Sequence, residues 1–208
     1  SEIIADLETP VSAFHKVCKD SKYSYLLESA EGEDNIGRYS FIGTNPLFLI
    51  RSDNKQSQLL DFLTGKILKE ESNPYNLLQS FLDEYESKDT LFAYSPSAVG
   101  YFSFDSVIHI EPRLKKAYEK IEECESFPLA YFMVPETVMV FDHLKHKIYI
   151  VNNVLIDKTS EIDLLISNSK AKISSVLARI KGKHNLAPIN LSGKTASGEV
   201  ASNMTKAE

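Results

Sequence analysis

Glu28 and Ser29, an acidic residue and a hydroxyl, end the apolar run Tyr25-Leu26-Leu27 and open into the polar stretch 30–35. A carboxylate there complements an ammonium group, a hydroxyl bonds to either end of a zwitterion, and aliphatic neighbours supply an apolar wall. That combination suits an amino-acid ligand. The residues alone favour a plainer arrangement, in which Glu28 pairs with Arg38 at a sheet surface and Ser29 begins a turn.

The remaining candidates are weaker. His143-x-x-His146 has metal-ligand types, but it falls in an expected turn with only Asp142 beside it, which reads as a solvated loop. Glu28 with Asp34, Asp83-Glu84 and Glu122-Glu123 are possible acid/base pairs. The last two sit on expected exposed faces, where acidic residues serve solubility. No phosphate-cradling, dinucleotide, nucleophile-elbow or zincin pattern occurs. Cys18 and Cys124 form no C-x-x-C pair, so both read as reduced structural thiols. The sequons at Asn190 and Asn203 would matter only in a secreted protein.

A net charge of −6 without a stripe of Lys and Arg argues against nucleic acid. No apolar run approaches the roughly 20 residues of a membrane span, and no leader-like segment opens the chain. A cytoplasmic protein without membrane partners is expected.

Three amphipathic helices must be positioned by a sheet. Thr9-Pro10 starts one running to about residue 20, with Val11, Phe14, Val17 and Cys18 on one face. Asn73-Pro74 starts a second, with Leu77, Leu78, Phe81, Leu82 and Tyr85. Ile162, Leu165, Ile166, Ile173, Val176, Leu177 and Ile180 mark a third, stopped by Gly182. Strands are expected at 23–28, 38–43, 47–51, 58–62, 66–69, 98–104, 129–134, 137–142 and 147–151. Several connections are too short for crossover helices, so the class is α+β with a mostly antiparallel sheet. Residues 106–128 read as an exposed acidic excursion, and Thr205-x-x-Glu208 is a capping box announcing a helix where the sequence stops.

These segments, taken together, resemble a known family. Thr9-Pro10-Val11-Ser12-Ala13-Phe14, then Leu26-Leu27-Glu28-Ser29, then Ile36-Gly37-Arg38-Tyr39-Ser40-Phe41-Ile42-Gly43 are similar to the opening of anthranilate synthase component I. Gly100-Tyr101-Phe102-Ser103-Phe104-Asp105, the segment Tyr131 to Thr137, and Ser202-Asn203-Met204-Thr205 continue the match in order.

The resemblance implies antiparallel sheets packed face to face with helices outside, in a protein more than twice this length. Residues 1–182 would form a tryptophan-binding regulatory region, and 183–208 a linker into a carboxy-terminal chorismate-binding domain. The catalytic residues and the magnesium ligands belong to that missing domain, so no catalytic residue and no cofactor is assigned here, and the chain alone is expected not to make anthranilate. The family's L-L-E-S motif maps the feedback site onto Leu27, Glu28 and Ser29. The rest of that pocket would come from the missing domain, so weak or absent tryptophan binding by the chain alone is expected. Implied partners are L-tryptophan, a glutamine amidotransferase subunit and the catalytic domain, with self-association through exposed apolar surface. Rival readings are the large subunit of aminodeoxychorismate synthase, a non-catalytic docking module, and a small enzyme built on Glu28 and Asp34.

Overall fold

The fold was obtained as a computed structural model, which describes residues 1–28, 37–53, 55–85, 98–114 and 127–182. Among the described residues eight antiparallel strands form one sheet: β1 (Glu2–Ile4), β2 (Ser24–Glu28), β3 (Tyr39–Ser52), β4 (Ser57–Asp61), β5 (Ile67–Glu71), β6 (Val99–Phe102), β7 (Ala130–Asp142) and β8 (Lys147–Asn152). Among the described residues the α-helices are α1 (Pro10–Cys18), α2 (Pro74–Glu84) and α3 (Ile162–Lys181). The α+β, antiparallel class is therefore as the sequence implies.

Two long strands organise the rest. β3 and β7 pair from Tyr39↔Asp142 to Ser52↔Ala130. β2 then pairs with the first half of β3 and β4 with its second half, while β8 and β6 divide β7 in the same way. The sequence reading cut each long strand in two, at Asn45-Pro46 and at Pro135. In the fold the prolines face one another, and the register then steps to Phe48↔Val134, with one extra residue on β3. A bulge is where a paired strand tolerates proline, and Asn45 takes the left-handed conformation (φ 54°) that asparagine tolerates better than most residues.

The bulge exchanges the faces that carry the core. Side chains alternate along a strand, and on β7 Met139 and Phe141 pack with α1 and α3 while Ala130, Phe132 and Val134 pack with α2. The two cores thus lie on opposite faces of β7. On β3, Ile42 serves the first core, and Phe48 and Ile50 the second. Their even spacing would put all three on one face without the extra residue.

The helices begin where expected. Thr9 accepts from the Ser12 backbone and Ser12 returns the bond in a capping box, and Asn73 caps α2 through the Tyr75 N–H. The buried stripe of α1 differs from the expected one: Pro10, Ala13, Val17 and Cys18 are buried, and Val11 is exposed. On α3 only the second half is anchored, through Val176 and Ile180, while Ile162 and Ile166 are exposed. β1, paired with β8, was not expected. Phe104, expected as the end of a strand, instead starts a 3-10 helix (Phe104–His109), in which Ser106 and Ile108, expected in the exposed excursion, are buried. The acidic stretch 115–126 and the tail 183–208, with its capping box, lie outside the described residues.

Gly43 permits one further contact across the ladder. It faces Tyr25 in register, and a Cβ there would lie 2.2 Å from the Tyr25 ring. Gly43→Ala is expected to lower the urea-unfolding stability by about 1–3 kcal/mol through this overpacking. Adding Tyr25→Ala should recover part of the loss; a double variant whose losses simply add would show that the ring is not the obstacle.

Candidate functional site

Alternation along β2 decides what each expected site residue can face. Leu26 stands opposite Ile42 and packs against the α1 core, Leu27 stands opposite Phe41 on the other face, and Glu28 returns opposite Ser40. Leu27 is 46% exposed, and Glu28 is exposed at the strand end. Leu26, not Leu27, therefore shares a face with the Glu28 carboxylate. Ser29 and Asp34 lie outside the described residues.

Arg38 does not pair with Glu28, contrary to the plainer sequence reading. Its guanidinium donates from Nε and Nη2 to the two carboxylate oxygens of Asp142, at 3.2 and 2.9 Å. The Asp142 side chain is 2% exposed and also accepts the Lys145 N–H. A buried carboxylate forms its charge only with such partners, and a planar guanidinium matches it with two bonds. The Arg38 guanidinium holds the Asp142 carboxyl below the usual carboxylate range, against the opposing effect of burial. Arg38 is thereby not the partner of Glu28 at the end of β2.

A pocket of about 470 Å³ opens beside this ion pair, lined by Thr9 and Pro10 at the start of α1, by Glu8, and by Phe141, His143 and His146 around the β7–β8 turn. Glu28, Ser40 and Phe141 stand in one cross-strand row, so the row leads from the end of β2 to the pocket wall. The His143 ring stacks on Phe141, and its Nε2 lies 2.8 Å from Ser40 Oγ. The His143/His146 pair sits in the expected turn, exposed as the solvated-loop reading implies, and it also lines this pocket. Among the described residues no three His, Cys, Asp or Glu side chains converge as a metal site.

Sequence reasoning named Asp142 only as a neighbour of the histidine pair and Ser40 only within a family segment, and it gave Thr9 and Pro10 no place in a site. The signal for Asp142 was a lone acid at a strand end; its partner is 104 positions away. Asp83 and Glu84 are exposed on α2, as expected. Cys18 is a buried thiol pushed up by that burial; Cys124, Glu122, Glu123 and both sequons lie outside the described residues.

A family model described as chorismate binding enzyme matches residues 22–201. The chain belongs to the chorismate-binding enzyme family. Among curated relatives, it is 31% identical over 204 residues to anthranilate synthase component 1 of Acetivibrio thermocellus, covering 89% of this chain. It is 34% identical over 154 residues to that of a Synechocystis strain, covering 72% of this chain. The chain spans 40% and 29% of the length of these two relatives. A solved anthranilate synthase component I from Streptococcus pneumoniae aligns with a TM-score of 0.48 at 21% identity, over 84% of this chain and 36% of that one. This family membership and these relatives agree with the resemblance carried by the segments from Thr9 to Thr205.

The Arg38–Asp142 pair gives an acid limb with a definite sign. Because the folded carboxyl titrates below its unfolded value of about 3.9, its contribution is present above that pH and is lost as pH falls through the folded value. Asp142→Asn should flatten thermal stability against pH in this acid range. Arg38→Gln, which leaves a buried acceptor short of donors, should cost about 1–3 kcal/mol near neutrality. An unchanged acid limb in the Asn variant would contradict the assignment.

Proposed function

We propose that this chain is the effector-sensing, amino-terminal part of an anthranilate synthase component I. In the full-length protein the reaction takes chorismate and ammonia, the latter from glutamine through a partner amidotransferase, to anthranilate and pyruvate. The reacting groups and the magnesium site belong to the carboxy-terminal part. The 208-residue chain alone is then without synthase activity.

L-Tryptophan binds at the end of β2, at the motif residues Leu27, Glu28 and Ser29, of which Glu28 stands on the face of the pocket row and Leu27 on the other. The observation that carries this reading is the row Glu28–Ser40–Phe141, which runs from that motif to the 470 Å³ pocket at the start of α1. The Glu28 carboxylate, which does not share Arg38 with Asp142, takes the ammonium group, and the Ser29 hydroxyl bonds to the zwitterion. The pocket lies within the size range of small-ligand sites, and Phe141 and Pro10 give it apolar wall.

Feedback then works by differential affinity. Tryptophan inhibits only to the extent that it binds an inactive arrangement of the two parts more tightly than the active one.

Calorimetric titration of L-tryptophan into the chain, into its Ser29→Ala variant, and into a chain extended to the length of its relatives tests the proposal. Binding that the extended chain strengthens and Ser29→Ala weakens about tenfold is expected, the loss of one charge-assisted hydrogen bond. No saturable binding by any of them would overturn the effector assignment.

A further inference from the structure

One apolar stripe runs the length of α3 at helical spacing, from Ile162 and Ile166 through Ile173 to Val176 and Ile180, but only its second half is buried. Val176 and Ile180 belong to the core that α1 and the sheet share, whereas Ile162 and Ile166 are 49% and 47% exposed. The side of the helix that elsewhere meets the core therefore continues into solvent over its first two turns. The segment leading into α3 is apolar as well, with Val154, Leu155 and Ile156 all exposed. Between the two runs lies a groove of about 220 Å³, with Leu47, Val154, Leu155 and Leu165 in its walls. Single exposed apolar side chains are ordinary on a protein surface, but two adjoining apolar runs about a groove mark a contact surface.

The far end of the same helix shows what can reach this surface. Lys16 donates to the Ile180 carbonyl and Arg179 to the Val17 carbonyl, both at 2.9 Å, so the last turns of α1 and α3 are tied to each other. The sequence runs on into residues 183–208 from that tied end. α3 has 20 residues, so its exposed half lies within about 30 Å of the point where the chain leaves it. The chain spans 40% and 29% of the length of two relatives, which makes the part beyond it larger than the chain itself. A domain tethered that close meets the groove at an effective concentration of about a millimolar, far above that of a second molecule in dilute solution. A hold at both ends of one helix, covalent at its end and apolar at its start, also fixes an orientation that a lone linker leaves free.

We propose that the first half of α3, together with Val154, Leu155 and Ile156, is the docking face for the carboxy-terminal part of the full-length protein. This rests on the reading of the chain as the amino-terminal part of a longer synthase and goes beyond it by naming the surface that orients the two parts.

Amide hydrogen exchange over residues 154–169 tests it, compared between the 208-residue chain and a chain extended to the length of its relatives. The segment should exchange about tenfold more slowly in the extended chain. Ile166→Glu sets a charge on the face: it should leave the thermal midpoint of the 208-residue chain in place, because the side chain is half exposed there, and return exchange in the extended chain to the rate of the short one. Anthranilate formation from chorismate and ammonia by the extended chain tests the underlying reading separately. An active extended chain whose segment exchanges as fast as in the short chain would overturn the proposal and leave that reading standing. A protected segment in an inactive extended chain would support the docking and count against the synthase reading, and an inactive chain with no protection would remove both. Protection that grows with the concentration of the 208-residue chain, with a doubled mass in light scattering, would give the face to a second copy and overturn the proposal.

Discussion

Everything in this fold hangs on the pairing of β3 with β7, and on the bulge where Pro46 meets Pro135. A ladder of this length without the bulge would offer each core residue the same face from end to end. With the extra residue on β3, one half of the ribbon presents Ile42, Met139 and Phe141 to α1 and α3, and the other presents Phe48, Ile50 and Phe132 to α2. Neither proline can complete the ladder as a donor, so placing them opposite one another confines the loss to a single rung. The row Glu28, Ser40 and Phe141 lies wholly on the α1 side of the bulge, where direct register puts the three on one face.

At the α1 end of the ribbon, charge is arranged around a buried carboxylate. Asp142 closes the last rung of β7 opposite Tyr39, and it is tolerable there only because Arg38 supplies two donors and the turn a third. The same pairing withdraws Arg38 from Glu28. An exposed carboxylate at the end of a strand, a serine–histidine pair one strand over, and a capped helix start together form a polar rim on an apolar wall. That combination is what the proposed zwitterion site rests on.

Helices were the most legible part of the sequence, because Thr9-Pro10, Asn73-Pro74 and Gly182 are local signals that local structure obeys. The strands were legible in place but not in continuity. Proline is read as a break, and only the partner strand reveals that two breaks can face each other inside one ladder. β1 was invisible because three residues carry no period, and it exists only by pairing with the edge of β8, some 145 residues later. The site was half legible. Glu28 announced itself as a charge at the end of an apolar run, but the partner of Arg38, the burial of Ser40 and the closeness of Thr9 to His143 are long-range facts that no local pattern records.

The most direct test of the central claim, that the end of β2 and the α1 side of the ribbon form one ligand site, is an amide chemical-shift map of the chain recorded with and without L-tryptophan. The account predicts shifts along the row Glu28, Ser40 and Phe141 and at Thr9 and His143, with α2 and its core silent. Shifts centred on the other cavity, near Asn152 and Lys172 of α3, with the row unmoved, would contradict it.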